Sequence, residues 1–139
     1  MNSTTDGPRP PHEPQTPPSQ RVSRLIPFVH ADDVARSISF YYHLGFTVAS
    51  IYNYRDTPVW AALTSEQAEL MVSTDGDAIN PAQQGVLFYL YSEDLHALRQ
   101  QLIAAGINAG EIEDGTPGPK QELRLVDPDG YVLMVAQID

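Results

Sequence analysis

The side chains that could do chemistry in this chain are few. There are four histidines, His12, His30, His43 and His96, and no cysteine. Without cysteine there is no disulfide, no thiolate nucleophile, no zinc–thiolate site and no cysteine-ligated iron–sulfur cluster. His30 stands beside Asp32 and Asp33, and a His-x-Asp-Asp run can bind a metal. The same run also suits a strand end followed by a helix cap. Asp75-Gly76-Asp77 lacks the alternating oxygen ligands and closing Glu of a calcium loop. No Gly-rich loop ending in Lys-Ser/Thr and no Gly-x-Ser-x-Gly elbow occurs.

A different chemistry is written in the charges. The chain has 18 acidic and 8 basic side chains, a net charge of -10. That balance disfavours a nucleic-acid partner, since such proteins must neutralise phosphates. Between Asp56 and Leu98 there is no Lys or Arg, while Asp56, Glu66, Glu69, Asp75, Asp77, Glu93 and Asp94 supply seven carboxylates. A groove walled by them would concentrate a cationic small molecule. Trp60, Phe88 and Tyr89 offer apolar or stacking surface, with Tyr52 and Tyr54 as rim candidates. Trp60 and Phe88 suit a core equally well. Phe88 and Tyr89 are neighbours on a strand and point opposite ways, so at most one is expected to line a cleft. For proton transfer the candidates are Glu69, His30, Tyr89 and Glu122, with no local pattern to choose among them.

The elements that would position these groups follow from periodicity. Residues 1–21 form a Pro-rich tail with Pro8, Pro10, Pro11, Pro14, Pro17 and Pro18, and are expected to be disordered. Such prolines also suit a proline-recognition module. Residues 22–138 make one domain: a first module over 22–75, a linker over 76–84 and a second module over 85–138. Leu25–Val29 is an apolar run broken by Pro27, the start of an edge strand. A helix capped by Asp32 or Asp33 stops at Gly45; strands are expected at Thr47–Tyr52, Trp60–Leu63 and Leu70–Ser73. The second half repeats the pattern. Val86–Leu90 is apolar, a helix capped by Ser92, Glu93 or Asp94 ends at Gly106, Ile107 and Ile112 flank a weak strand, and Leu123–Val126 and Tyr131–Ile138 follow. Asp33 to Gly45 and Asp94 to Gly106 both span 12 residues, offset by 61. The turn Asp127-Pro128-Asp129-Gly130 has Pro and Gly where a type I turn wants them. The fold class is therefore α+β: two βαβββ modules with pseudo-two-fold symmetry, forming a curved sheet around a cleft. No apolar run approaches membrane-spanning length and no secretory signal is visible, so a cytoplasmic protein is expected.

The segment Ile26-Pro27-Phe28-Val29-His30-Ala31-Asp32-Asp33, with Phe40-Tyr41 and Leu44-Gly45-Phe46, resembles the first module of the vicinal oxygen chelate superfamily. Val126-Asp127-Pro128-Asp129-Gly130-Tyr131 is similar to its second signature, and the likeness covers about residues 22–138. That superfamily holds the glyoxalase I, bleomycin-resistance and extradiol dioxygenase groups. Its catalytic members hold a divalent metal. The resemblance places the ligand positions at Ile26, at Leu87 or Val86, and at Met134, with Glu69 as the remaining carboxylate. Three of the four are apolar, which argues against metal chemistry at that site, so no cofactor is expected. Metal-free bleomycin-resistance proteins are dimers that sequester a basic glycopeptide in acidic grooves. The resemblance thus implies a homodimer that binds a small, cationic or aromatic molecule through Trp60, Glu69, Phe88, Tyr89, Tyr52 and Tyr54. The alternatives are a superfamily enzyme with a non-standard site, or a dimeric structural or regulatory protein without a ligand.

Overall fold

The computed structural model describes residues 13–21, 23–74, 78–115 and 121–138. Pro8, Pro10 and Pro11 of the tail and Asp75-Gly76-Asp77 lie outside them. Residues 13–20 are exposed and belong to no helix or strand.

The first module runs β1 (Phe28–His30), α1 (Val34–Tyr42), β2 (Thr47–Tyr54), β3 (Thr57–Ser65) and β4 (Ala68–Ser73). Its four strands form one sheet in the order β1-β4-β3-β2, with β1 parallel to β4 and the other pairs antiparallel. Strand β1 starts only after Pro27, whose carbonyl still accepts from the Met71 N–H at 2.9 Å. The β2–β3 hairpin turns on Arg55 and Asp56, both in the left-handed region at φ 52° and 65°, as a two-residue type I′ turn requires.

The second module runs β5 (Leu87–Ser92), α2 (Leu95–Ala104), β6 (Glu122–Val126) and β7 (Val132–Gln137). Its sheet has the order β5-β7-β6, again with the first strand parallel to the last. The weak strand expected around Ile107 and Ile112 shrinks to an isolated bridge, Glu113 to Glu122. Asn108 and Gly110 there are poor strand formers. A Cβ on Gly110 would lie 2.9 Å from the Arg124 carbonyl oxygen, so the segment is pressed against β6.

The two helices end alike, which is the firmest trace of the repeat. The Phe46 N–H donates to the Tyr41 carbonyl and Gly45 N–H to that of Tyr42; Ile107 and Gly106 do the same toward Leu102 and Ile103. This is the Schellman pattern, with Gly45 at φ 97° and Gly106 at φ 80°. Asp33 and Asp94 cap the starts by accepting from the backbone N–H groups of Arg36 and Ala97.

The two expected modules form, but the described residues make two separate sheets, of four and three strands, where one curved sheet was expected. One face of each contributes to a single core in which Val34, Tyr41, Leu63 and Val72 join Leu95, Leu102, Leu123 and Leu133. The opposite faces stay open.

The modules are clamped by the 127–130 turn. Gly130 N–H donates to the Asp127 carbonyl at 3.0 Å, closing the type I turn. The Asp127 Oδ1 accepts from the backbone of Asp129 and Tyr131, and its Oδ2 accepts from the Tyr41 hydroxyl at 2.8 Å. Asp129, 1% exposed, accepts from the Asp32 N–H, the Arg36 guanidinium and the Ser37 hydroxyl at the start of α1. A carboxylate there also meets the positive end of the helix. Burial pushes the Asp127 carboxyl up, against its hydrogen bonds. Burial, with the neighbouring Asp127 charge, likewise raises the Tyr41 phenol.

Candidate functional site

The six side chains expected to share one cleft are distributed over three places. Glu69, Phe88 and Tyr89 surround one cavity of about 280 Å³ at the seam between the modules. Trp60 and Tyr52 are cross-strand partners on the open face of the four-stranded sheet, in a row that continues through Ser73 to His30. Tyr54 lies at the β2–β3 hairpin tip, with the Arg55 guanidinium 5.2 Å from its ring centre.

The seam cavity is built by strand alternation. On β4, Leu70 and Val72 enter the core, so Glu69 belongs to the open face with Met71 and Ser73. On β5, Phe88 and Leu90 turn toward the core, and Phe88 stacks on Tyr131 with ring centres 5.7 Å apart. Tyr89 takes the opposite face, beside Met134 of β7. Both Phe88 and Tyr89 nevertheless line the cavity, contrary to the expectation that only one would. The reason is that β5 is an edge strand, and a cavity wrapped around an edge touches both faces. Pro27, Phe46 and Leu133 add apolar wall.

A groove of about 480 Å³ adjoins this cavity, sharing Phe46, Ala68, Tyr89 and Leu90 and adding Glu66, Tyr91 and Glu93. The Tyr89 and Tyr91 rings are 5.8 Å apart. Among the described residues lining either space there is no Lys or Arg. Of the seven carboxylates in the stretch without basic residues, Glu66, Glu69 and Glu93 therefore reach the seam. Asp94 is spent on capping α2, and Asp56 sits in the hairpin turn.

The polar groups here have partners. Glu69 is gripped by Arg24, whose Nε is 2.6 Å from Oε2 and whose Nη2 donates to Oε1. That pairing lowers the Glu69 carboxyl and raises the Arg24 guanidinium. The Tyr89 hydroxyl donates to Glu122, which with partial burial and the Glu122 charge pushes the phenol up to about 12. Such a phenol is poorly matched to proton transfer near neutral pH. Arg24 was absent from the expected site because it precedes the first strand and carries no motif.

The positions that a divalent metal would need do not fit one. Leu87 and Met134 are apolar side chains on β5 and β7, Ile26 precedes β1, and Glu69 is held by Arg24. Among the described residues there is no group of three or more His, Asp or Glu able to hold an ion. Asp32 accepts from the Ile79 N–H and Asp33 caps α1, so the His30-x-Asp32-Asp33 run is used by the backbone. Among the described residues no helix is long and apolar enough to cross a membrane.

Two strand–helix–strand units on one core, with a seam cavity and open sheet faces, define a scaffold shared by binding proteins and enzymes alike. The chain belongs to the Glyoxalase/Bleomycin resistance protein/Dioxygenase superfamily, whose family model matches residues 26–135. Among solved structures it is similar to a bleomycin-binding protein complexed with bleomycin, at 21% identity and a TM-score of 0.69, covering 85% of this chain and 100% of that one. A bleomycin resistance determinant encoded on the transposon Tn5 is similar at 21% identity and a TM-score of 0.69, covering 85% and 99%. An antibiotic-binding protein from Streptomyces sp. CB03234 follows at 18% identity and a TM-score of 0.65, covering 86% and 99%. At these identities the likeness establishes the fold. None of the curated proteins compared with the chain matches it.

Proposed function

We propose that this protein binds a small organic cation with an aromatic or apolar body at the seam between its modules, without a metal. The observation that carries this reading is the lining of the seam. Glu66, Glu69 and Glu93 border apolar and tyrosine surface, and among the described residues lining the wall there is no Lys or Arg, Arg24 reaching it from outside through Glu69. Carboxylates in a concave, partly apolar site attract a cation and strengthen its contacts there, and the Tyr89 and Tyr91 ring faces can hold it by cation–π attraction. A bleomycin-like molecule is one ligand class this reading takes in, since a similar solved structure is a bleomycin-binding protein complexed with bleomycin. A homodimer accords with the family resemblance, and with the exposed Tyr52, Tyr54, Tyr89 and Tyr91 on the strands.

The test is a fluorescence and thermal-shift titration of the full chain with bleomycin and with acridine orange, a planar monocation, at low and high salt. Binding that weakens as salt rises is expected, because screening acts on exposed carboxylates. No binding of either cation, or equal binding of an anionic analogue, overturns the proposal. Light scattering on the free protein reads the oligomeric state; a monomer at micromolar concentration refutes the dimer.

A further inference from the structure

We propose that Arg24 is a tethered competitor for the seam: the chain's own guanidinium occupies Glu69, and a cationic ligand must displace it. This rests on the reading of the seam as a cation site.

Three observations carry it. Arg24 holds both oxygens of Glu69, the fork geometry that suits a guanidinium best. It is also free to leave, since its side chain is 64% exposed. Its tether is short. The Pro27 carbonyl is fixed to β4 by the Met71 N–H at 2.9 Å, and continuing the parallel register back from Phe28 opposite Met71 sets residue 26 beside Glu69. Arg24 lies two residues upstream, so it meets Glu69 at the high effective concentration of a short linker. With Arg24 in place the charge of Glu69 is cancelled, while Glu66 and Glu93 still face the seam.

An exposed pair is weak, so the competition is modest: removing Arg24 should tighten cation binding by about two- to fivefold. The experiment titrates the full-length wild type, R24Q, R24K, E69Q and the double variant R24Q/E69Q with acridine orange, and with its uncharged analogue acridone. Circular dichroism checks that each variant is folded. R24Q should bind the cation about two- to fivefold tighter, R24K should fall between it and the wild type, and acridone should not respond. E69Q should bind the cation more weakly, and R24Q should add nothing on that background. If E69Q weakens binding but R24Q matches the wild type or binds worse, the competitor is refuted while the cation site stands. If neither wild type nor R24Q binds the cation, the site reading fails and the competitor with it.

Discussion

Replacing Tyr41 by Phe tests the clamp between the modules. Tyr41 is 1% exposed and Asp127 5%, so the Asp127 Oδ2 has no water to take the place of the lost hydroxyl at 2.8 Å. A buried acceptor left without its donor costs about 1–3 kcal/mol, with the upper part of the range apt for a charged group. About 2 kcal/mol at pH 7 is expected. The cost depends on pH, and the sign can be worked out. Burial already raises the Asp127 carboxyl above its ordinary value, while the bond from Tyr41 acts to lower it. The folded protein therefore holds this proton more tightly than the unfolded chain. The stability so contributed is full below the unfolded carboxylate range and is lost as pH rises through the folded value. Y41F removes a lowering influence and pushes the folded value further up. Its penalty should accordingly be smallest at acid pH, where Asp127 is protonated in both proteins, and largest at neutral pH. Urea unfolding of both proteins at pH 4.5, 6 and 7.5 reads this directly. D127N, which cannot ionise, should abolish the pH dependence of the Y41F penalty. A penalty below about 0.5 kcal/mol, the scale of an ordinary surface change, or one independent of pH, would refute the reasoning.

Other predictions rest on single contacts. G130A should destabilise strongly or prevent folding, because its Cβ would fall 2.2 Å from the Pro81 carbonyl oxygen at φ 90°; G106A, with open space at φ 80°, should cost only about 1 kcal/mol in a thermal melt. L102A, at a fully buried position, should cost about 2–5 kcal/mol in urea unfolding. E122Q should bring the Tyr89 phenol down from about 12 toward the ordinary tyrosine range, followed by NMR of its ring carbon. Chelation, or addition of nickel, zinc or manganese, should leave the melting temperature unchanged, since Ile26 and Leu87 offer no donor and Met134 only a soft thioether ill suited to these ions.

Much of the fold was legible in local signals. Gly45 and Gly106 as stops and the 127–130 turn are decisions taken within a few residues, so the chain states them directly, while local signals narrow the caps only to Asp32 or Asp33 and to Ser92, Glu93 or Asp94, of which the structure uses Asp33 and Asp94. The failed strand near Ile112 had weak local support, and pairing with β6 did not extend it beyond one bridge. The site was legible in kind and not in arrangement. Acidic and aromatic residues were evident, but Trp60, Tyr52 and Tyr54 are not among the residues lining the cavity that takes Glu69, Phe88 and Tyr89.

The sequence by itself determined most of the element types, the strand–helix start of both modules, the family and the apolar residues at the metal positions. These depend on neighbours along the chain or on residue identity alone. The tertiary structure decided that the sheets remain separate, that β5 is an edge whose two faces both reach the seam, that Asp127 and Asp129 clamp the second module to α1, and that Arg24 meets Glu69. Each of these is a contact between segments tens of residues apart, set by how two modules bury a common core, and no local pattern of residues encodes it.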